Sequence, residues 1–448
     1  MLEQVVVIND DTEESGGAAA IALASVRLLR QRGIPVTVLS GSGGGAALES
    51  VGTDTVALGG VHLMRGDRAA AAIRGLYDRG TANAVTNWIS AHDTLGTVYH
   101  LHNWHKVLSP SVFRALRPIA HRLFVMAHDY FLICPNGGYF RYPQRSVCDL
   151  VPGSGRCLAT HCDRRHYLHK LWRALRHEVR HLLFDLGSSN ADVLLVHDGM
   201  LPHFLRGGVP RRRLQVLRNP VSAWSATRIQ AEGNRDVFYV GRVEAEKGVD
   251  LLARAAARTG ARLRVIGSGS LEDKVRCENA AADLLGWRSR EQLETLVGDA
   301  RMLVLPTRCR ETFGLVAVEA LLSGIPVIAS CFSLISDEIV RLGYGLSCNP
   351  YDGAALADAI AVLTRDDALV REMSCRAYSG SRSLAPTEEE WCDALVRMYE
   401  NKLRASLRPR AVVNTNGENG ADNPDRRWPV AASDRVTDDA RGERDGRF

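Results

Sequence analysis

Two glutamates, Glu311 and Glu319, bracket the stretch ETFGLVAVE. An apolar run from Met302 to Leu305 reads as a buried strand that ends at Pro306. A polar loop carrying Glu311 follows, and a helix is predicted from Phe313-Gly314 to Gly324, with Glu319 one to two turns inside it. Val327 to Ala329 predicts the next strand. In an open α/β sheet, ligands sit outside the carboxyl ends of the strands. The N–H groups of a first helical turn, here at Gly314-Leu315, favour an anion there. Carboxylates accept hydrogen bonds from sugar hydroxyls, so the ligand should be both phosphorylated and rich in hydroxyls, as a nucleotide sugar is. Upstream, the apolar strand Val237 to Val240 runs into Gly241-Arg242-Val243-Glu244-Ala245-Glu246-Lys247-Gly248. Arg242 leaves the strand end and Lys247 opens the next helix, so both cations can converge on one diphosphate. Taken singly, these side chains also read as solvated surface charges; the two blocks in this order make the stronger signal.

The Glu-x7-Glu spacing followed by EALLSGIPVIAS, with the Gly-Arg and Lys-Gly block before it, resembles the signature of the family 4 (group 1) retaining glycosyltransferases of the GT-B fold. The resemblance implies an α/β chain in which two Rossmann-like parallel-sheet domains face a cleft and a C-terminal helix crosses back to the N-terminal domain. It implies that Glu319 holds the ribose hydroxyls and that Glu311 acts on the transferred sugar, in binding or in catalysis. Arg242, Lys247 and the N–H groups at Gly314-Leu315 are then the diphosphate contacts. Gly16-Gly17, after the first strand, is similar to the family's glycine-rich loop, though a plain turn reads the same way. His128-Asp129, in VMAHDYFLICP, resembles the family's catalytic-face His-Asp; a buried core histidine is the alternative. His100-x-His102-Asn103 ends another strand facing the same cleft, with a structural role equally open. Gly267-Ser268-Gly269 and Gly286-Trp287-Arg288 fall where the family contacts the base. The chain departs from the pattern after the last motif strand. It carries Phe332-Ser333-Leu334-Ile335-Ser336-Asp337-Glu338 where relatives often have Gly-Gly before a glutamate.

The elements that must position these residues alternate strand and helix in both halves, as parallel sheets require. Strands are expected at Val5–Ile8, Val36–Leu39, Val98–His102, Leu123–Met126 and Asp192–Val196, and a helix from Gly16-Gly17 to Arg32. The expected organisation is an N-terminal Rossmann-like acceptor domain over 1–205, including a Cys-rich segment 134–162. A nucleotide-sugar domain follows over 206–385, then a last helix over 386–403. Thr387-Glu388-Glu389-Glu390 predicts a capping box for that helix. A disordered tail is expected over 404–448, where apolar periodicity disappears.

At 448 residues the chain is too long for one core. Its 46% hydrophobic and 24% charged content is that of a globular protein, and a net charge of +5 suits anionic substrates without requiring nucleic acid. No apolar run reaches the roughly 18 residues of a spanning helix, and the first strand follows the N-terminus with no basic n-region. A cytoplasmic location is therefore expected, with a peripheral place on the inner face of the cell membrane as an extension. That extension rests on Asp163–Phe184. Here Leu168, Leu171, Trp172, Leu175, Val179, Leu182 and Leu183 form an apolar stripe, and Arg164, Arg165, Lys170, Arg173, Arg176 and Arg180 supply positive charge. Such a helix suits an anionic bilayer, or packs on the sheet with a solvated basic face. Cys134, Cys148, Cys157 and Cys162 cluster in sequence. Four thiolates suit a structural zinc, but no Cys-x2-Cys pair is present, so reduced structural thiols and a redox disulfide remain as readings.

No Asp-x-Asp pair is present to hold a metal, so the charge on a departing diphosphate should be met by Arg242, Lys247 and the helix N-terminus. The expected activity is metal-independent, cofactor-free, retaining transfer of a sugar from a nucleotide diphosphate sugar to a glycan, lipid-linked or small-molecule acceptor. Polysaccharide or glycoconjugate synthesis is the setting. A nucleotide-sugar epimerase or phosphorylase on the same fold, and a non-catalytic membrane- or glycan-binding scaffold, are the rival readings.

Overall fold

A computed structural model of the chain describes residues 1–12, 16–43 and 52–407. Among the described residues, seven parallel strands form the first sheet. Its order is Asp54–Ala57, Val36–Ser40, Gln4–Asn9, Thr97–Leu101, Leu123–Ala127, Asp192–Leu195 and Leu214–Val216. A second sheet has six, in the order Asp283–Gly286, Leu263–Ile266, Asp236–Val240, Ala300–Leu305, Val327–Ser330 and Gly345–Cys348. Each sheet reverses direction beside its first strand, where Rossmann-type sheets open a crevice. In the first sheet Val7 stands opposite His100 across Gln4–Asn9 and Thr97–Leu101. In the second, Phe238 stands opposite Leu303, and Leu303 opposite Val327. The central strands are continuous apolar runs because helices cover both faces: Val5 to Ile8 and Met302 to Val304 are almost wholly buried. The expected strands and the Gly17–Gln31 helix are found within a residue or two of their predicted ends. Leu214–Val216 carries the first sheet past the expected boundary at 205/206.

The last helix, Glu388–Leu407, crosses back onto the first sheet. Its capping box forms as read: Thr387 N–H donates to Glu390 Oε2 at 2.8 Å and Glu390 N–H to Thr387 Oγ1 at 3.1 Å. Trp391, Leu395, Tyr399 and Leu403 join the core of the first sheet. Tyr399 bonds His100 Nδ1 at 2.6 Å, and Lys402 pairs with Asp192 at 2.8 Å. The helix runs through Leu407, so residues 404–407, expected in the tail, are helical. The rest of that tail, 408–448, lies outside the described residues.

The amphipathic segment does form a helix, Tyr167–Leu183, but the reading that packs it on the sheet with a solvated basic face is overturned. Lys170, Arg176 and Arg180 are buried, at 1%, 6% and 3% exposure, whereas Leu168 is 66% and Leu182 80% exposed, with Leu171 and Leu175 also outside. The buried arginines meet backbone carbonyls. Arg176 donates to the carbonyls of Gly75 (2.7 Å), His105 (3.1 Å) and Leu108 (3.1 Å), and Arg180 to those of Phe184 (3.1 Å) and Leu132 (3.0 Å). Burial pulls both guanidinium groups down to about 10. Lys170, Arg176 and Arg180 are therefore not part of a solvated basic face, and these four leucines are not core.

Candidate active site

The strand ends of the two sheets enclose a cleft of about 610 Å³, within the range of small-ligand sites. Its lining brings together Gly16, Gly17, His128, Arg242, Lys247 and Glu311 among the expected site residues. Glu319, Gly314, Leu315 and Gly267 lie outside that lining. The cleft walls carry Lys106, Arg164, Arg165, Arg173 and Arg310 as well, an excess of positive charge over the acidic lining residues.

From the second sheet, Asp236–Val240 ends at Gly241, and the short turn Ala245–Lys247 delivers Lys247 to the cleft. Lys247 Nζ pairs with Glu311. Burial, the largest effect, lowers the lysine's pKa, but the Glu311 carboxylate and the neighbouring Cys309 together raise it above its ordinary value, so the amine stays an ammonium. Arg242 is mostly exposed and reaches Glu246 at 3.4 Å, a contact weak enough to leave its guanidinium available. Glu311 is fixed through its backbone: its N–H donates to Phe332 O at 3.2 Å, and Leu334 N–H donates to its carbonyl at 3.1 Å.

Gly314 caps the Leu315–Leu322 helix at φ 77°, a conformation that favours glycine, and so turns the polar loop into the helix. Leu315 beside it meets the first sheet's loop: a Cβ on Gly17 would stand 2.9 Å from Leu315 Cδ1. Gly267 crosses Gly241 so closely that a Cβ would fall 1.9 Å from the Gly241 carbonyl oxygen. Glu319 bonds Arg290 at 3.0 Å, and Arg290 also donates to the carbonyls of Ser222 (3.1 Å) and Ala223 (2.9 Å). Burial raises the Glu319 pKa against the pull of Arg290. Trp287, near the expected base position, is exposed.

From the first sheet, His128 stands past the end of Leu123–Ala127 and shares a hydrogen bond of 3.1 Å with His102. Burial lowers His128 to about 4 and raises the neighbouring Asp129 to about 6, so His128 is neutral at physiological pH. Thr312, next to Glu311, donates to the His128 carbonyl at 2.8 Å and ties the two halves of the cleft. His100 is not at the cleft; it is buried against Tyr399, and burial lowers it to about 3. In the departing loop, Glu338 joins the halves as well, pairing with His197 at 3.0 Å and Arg218 at 2.7 Å.

A buried clamp lies outside what the sequence indicates. Asp10, after the first strand, accepts four backbone N–H groups: those of His105 and Lys106 at 2.9 Å, Val107 at 3.0 Å and Leu108 at 2.8 Å. Burial raises its pKa, and those N–H groups and Arg176 oppose the rise. Arg176 holds the carbonyls of the same loop, so donors and acceptors of residues 104–108 are gripped from two sides. An aspartate at the end of a strand facing the cleft is the available signal. Nothing local indicates which loop it would hold.

Two parallel Rossmann-type sheets meeting at a ligand-sized cleft, with the final helix returned to the first sheet, define the GT-B architecture. Sucrose-phosphate synthase from Thermosynechococcus elongatus shares it at a TM-score of 0.66 and 17% identity, over 90% of this chain and 100% of that one. So does HepE of Anabaena in complex with UDP and glucose, at 0.63 and 14%, over 89% of this chain and 100% of the other. Residues 223–380 match the family model described as glycosyl transferases group 1. Glycogen synthase of Mycobacterium tuberculosis is 29% identical over 214 residues, 44% of this chain and 50% of that protein. The aligned part thus spans about half the length of that curated relative.

Proposed function

We propose that the protein is a retaining, metal-independent glycosyltransferase that moves a sugar from a nucleotide diphosphate sugar to a hydroxyl of a glycan or lipid-linked acceptor. The observation that carries this reading is the convergence on one cleft of Arg242, Lys247 and Glu311 from one sheet with Gly16, Gly17 and His128 from the other. The donor diphosphate lies against Arg242 and Lys247, and Glu311, held by Lys247, accepts hydrogen bonds from the transferred sugar. Glu319 and Arg290 bound the ribose end. As the bond from the sugar C1 to the phosphate oxygen breaks, the acceptor oxygen bonds C1 on the same face. The acceptor proton passes to the departing diphosphate. Neutral His128 donates or accepts a hydrogen bond at the sugar and carries no net charge into the step. Ammonium and guanidinium aimed at the leaving group supply the stabilisation a metal gives elsewhere. The family match and the UDP and glucose seen on the same fold in HepE support this donor class.

The acceptor is offered from a lipid surface. Among the described residues no helix is long and apolar enough to cross a membrane. The exposed leucines of Tyr167–Leu183 stand beside exposed Arg164 and Arg165 at the cleft rim, which suits shallow seating on an anionic bilayer. The test is a panel of nucleotide sugars screened for thermal stabilisation, followed by acceptor-dependent nucleotide release in excess chelator. Conversion of the nucleotide sugar to its epimer without net nucleotide release points to an epimerase, and phosphate-dependent cleavage of a glycan to a phosphorylase. Activity lost to chelator and restored by magnesium or manganese refutes the metal-free reading.

A further inference from the structure

The cysteine-rich segment folds into a compact knot beside the cleft, and the proposed transfer chemistry does not use it. Cys134, Cys148, Cys157 and Cys162 all line one cavity of about 20 Å³, space for a single water-sized body. Lys170, which is 1% exposed, lines it as well, with Asn136 and Tyr139. The lysine's hydrogen-bond partner is Cys157 Sγ at 3.8 Å, and among the described residues no carboxylate pairs with it. A buried lysine with no carboxylate partner is an arrangement proteins avoid, because a buried charge is costly unless it is paired.

In the turn that follows Cys134 the chain adopts φ 73° at Gly137 and φ 45° at Tyr139, a conformation costly for a tyrosine. Asn136 then locks the turn by donating to the carbonyls of Phe140 and Cys162, each at 2.8 Å. A disulfide would remove two thiols and still leave the amine facing neutral sulfur.

We propose that Cys134, Cys148, Cys157 and Cys162 bind one zinc ion as four thiolates, with Lys170 as the buried counter-charge to the dianionic cluster. Zinc displaces four protons, and the resulting charge of two minus is partly balanced by the ammonium. No three of the sulfurs lie within 4.8 Å of one another. The metal must therefore draw them to the roughly 3.8 Å separation of a tetrahedron with 2.3 Å bonds. Cys148 and Cys157 sit on a short hairpin end and a short helix, Gly155–Ala159, that can close in. The knot would then anchor Pro135 to Gly138, which form part of the cleft wall.

The full chain, purified without chelator, is expected to carry about one zinc per molecule by metal analysis. Titrating its thiols with an organomercurial should release that zinc to an indicator. Cys134→Ser, Cys148→Ser and Cys162→Ser should each lose it, while Cys277→Ser and Cys375→Ser, outside the cavity, should retain it. Cobalt refilling should give the visible bands of a tetrahedral four-thiolate site. Lys170→Met should speed metal transfer to a competing chelator about tenfold, from loss of a charge-assisted contact. Because the cysteine variants can misfold, the wild-type protein decides the matter alone. A zinc-free chain, a cobalt form lacking the four-thiolate bands, a native mass lower by two hydrogens, or alkylation of the four thiols as fast as Cys277 would each overturn the proposal.

Discussion

Replacing Lys247 with methionine separates what the Lys247–Glu311 pair does for stability from what it does for transfer. Methionine keeps the length of the aliphatic stem and removes the charge. Both side chains are about one-fifth exposed, 21% and 19%. Breaking a fully buried pair costs about 3–5 kcal/mol, chiefly because the remaining charge is stranded. With water reaching both groups, roughly 1–3 kcal/mol is expected here, a fall of a few degrees in melting temperature. The effect on turnover has another origin: one preorganised charge on the departing diphosphate is worth about 10²–10³ in kcat. The double variant Lys247→Met/Glu311→Gln leaves no stranded carboxylate and should recover most of the stability while staying at least as slow as the single variant. The assay is acceptor-dependent nucleotide release at saturating donor, with urea unfolding on the same preparations. Wild-type turnover in Lys247→Met, or turnover regained together with stability in the double variant, would refute the diphosphate role of Lys247.

Asp10→Ala should destabilise the protein by about 2–4 kcal/mol in urea unfolding, since four N–H groups lose a charged acceptor; a change within error would mean water replaces it without cost. Acid should destabilise the fold through its neutral histidines. His128 is held at about 4 and His100 at about 3, against an ordinary value of 6.5. The unfolded chain therefore binds protons the folded one refuses, and stability falls as pH drops below about 6.5. His128→Gln should flatten that slope between pH 7 and 5, which urea midpoints would report. Leu168→Glu with Leu175→Glu should abolish sedimentation with anionic vesicles and leave transfer to a soluble acceptor unchanged; sedimentation that persists would remove the leucine face from the membrane contact.

Much of this molecule is fixed by patterns that act over a few residues. Apolar runs of strand length, broken by Gly and Pro, are enough to mark two parallel sheets. The block from Gly241 to Gly248 and the loop from Glu311 to Gly314 place their charged residues at strand ends whatever packs around them. That is why Arg242, Lys247 and Glu311 are assignable to one cleft from the sequence alone, and why the capping box at Thr387 is legible there too. The tertiary structure decided matters that depend on distant partners. Glu319 reads as a cleft carboxylate by spacing, yet it faces Arg290, from a helix the motif does not contain. The Tyr167–Leu183 helix is the sharpest case. Its periodicity determines two faces, and the usual rule sends the leucines inward. The surface awaiting it is a set of unpaired carbonyls at Gly75, His105, Leu108 and Leu132, next to the buried carboxylate of Asp10. Leucine cannot satisfy a buried carbonyl, and arginine can satisfy several at once. The guanidinium groups therefore turn in and the leucines turn out, a choice made by loops far away in sequence.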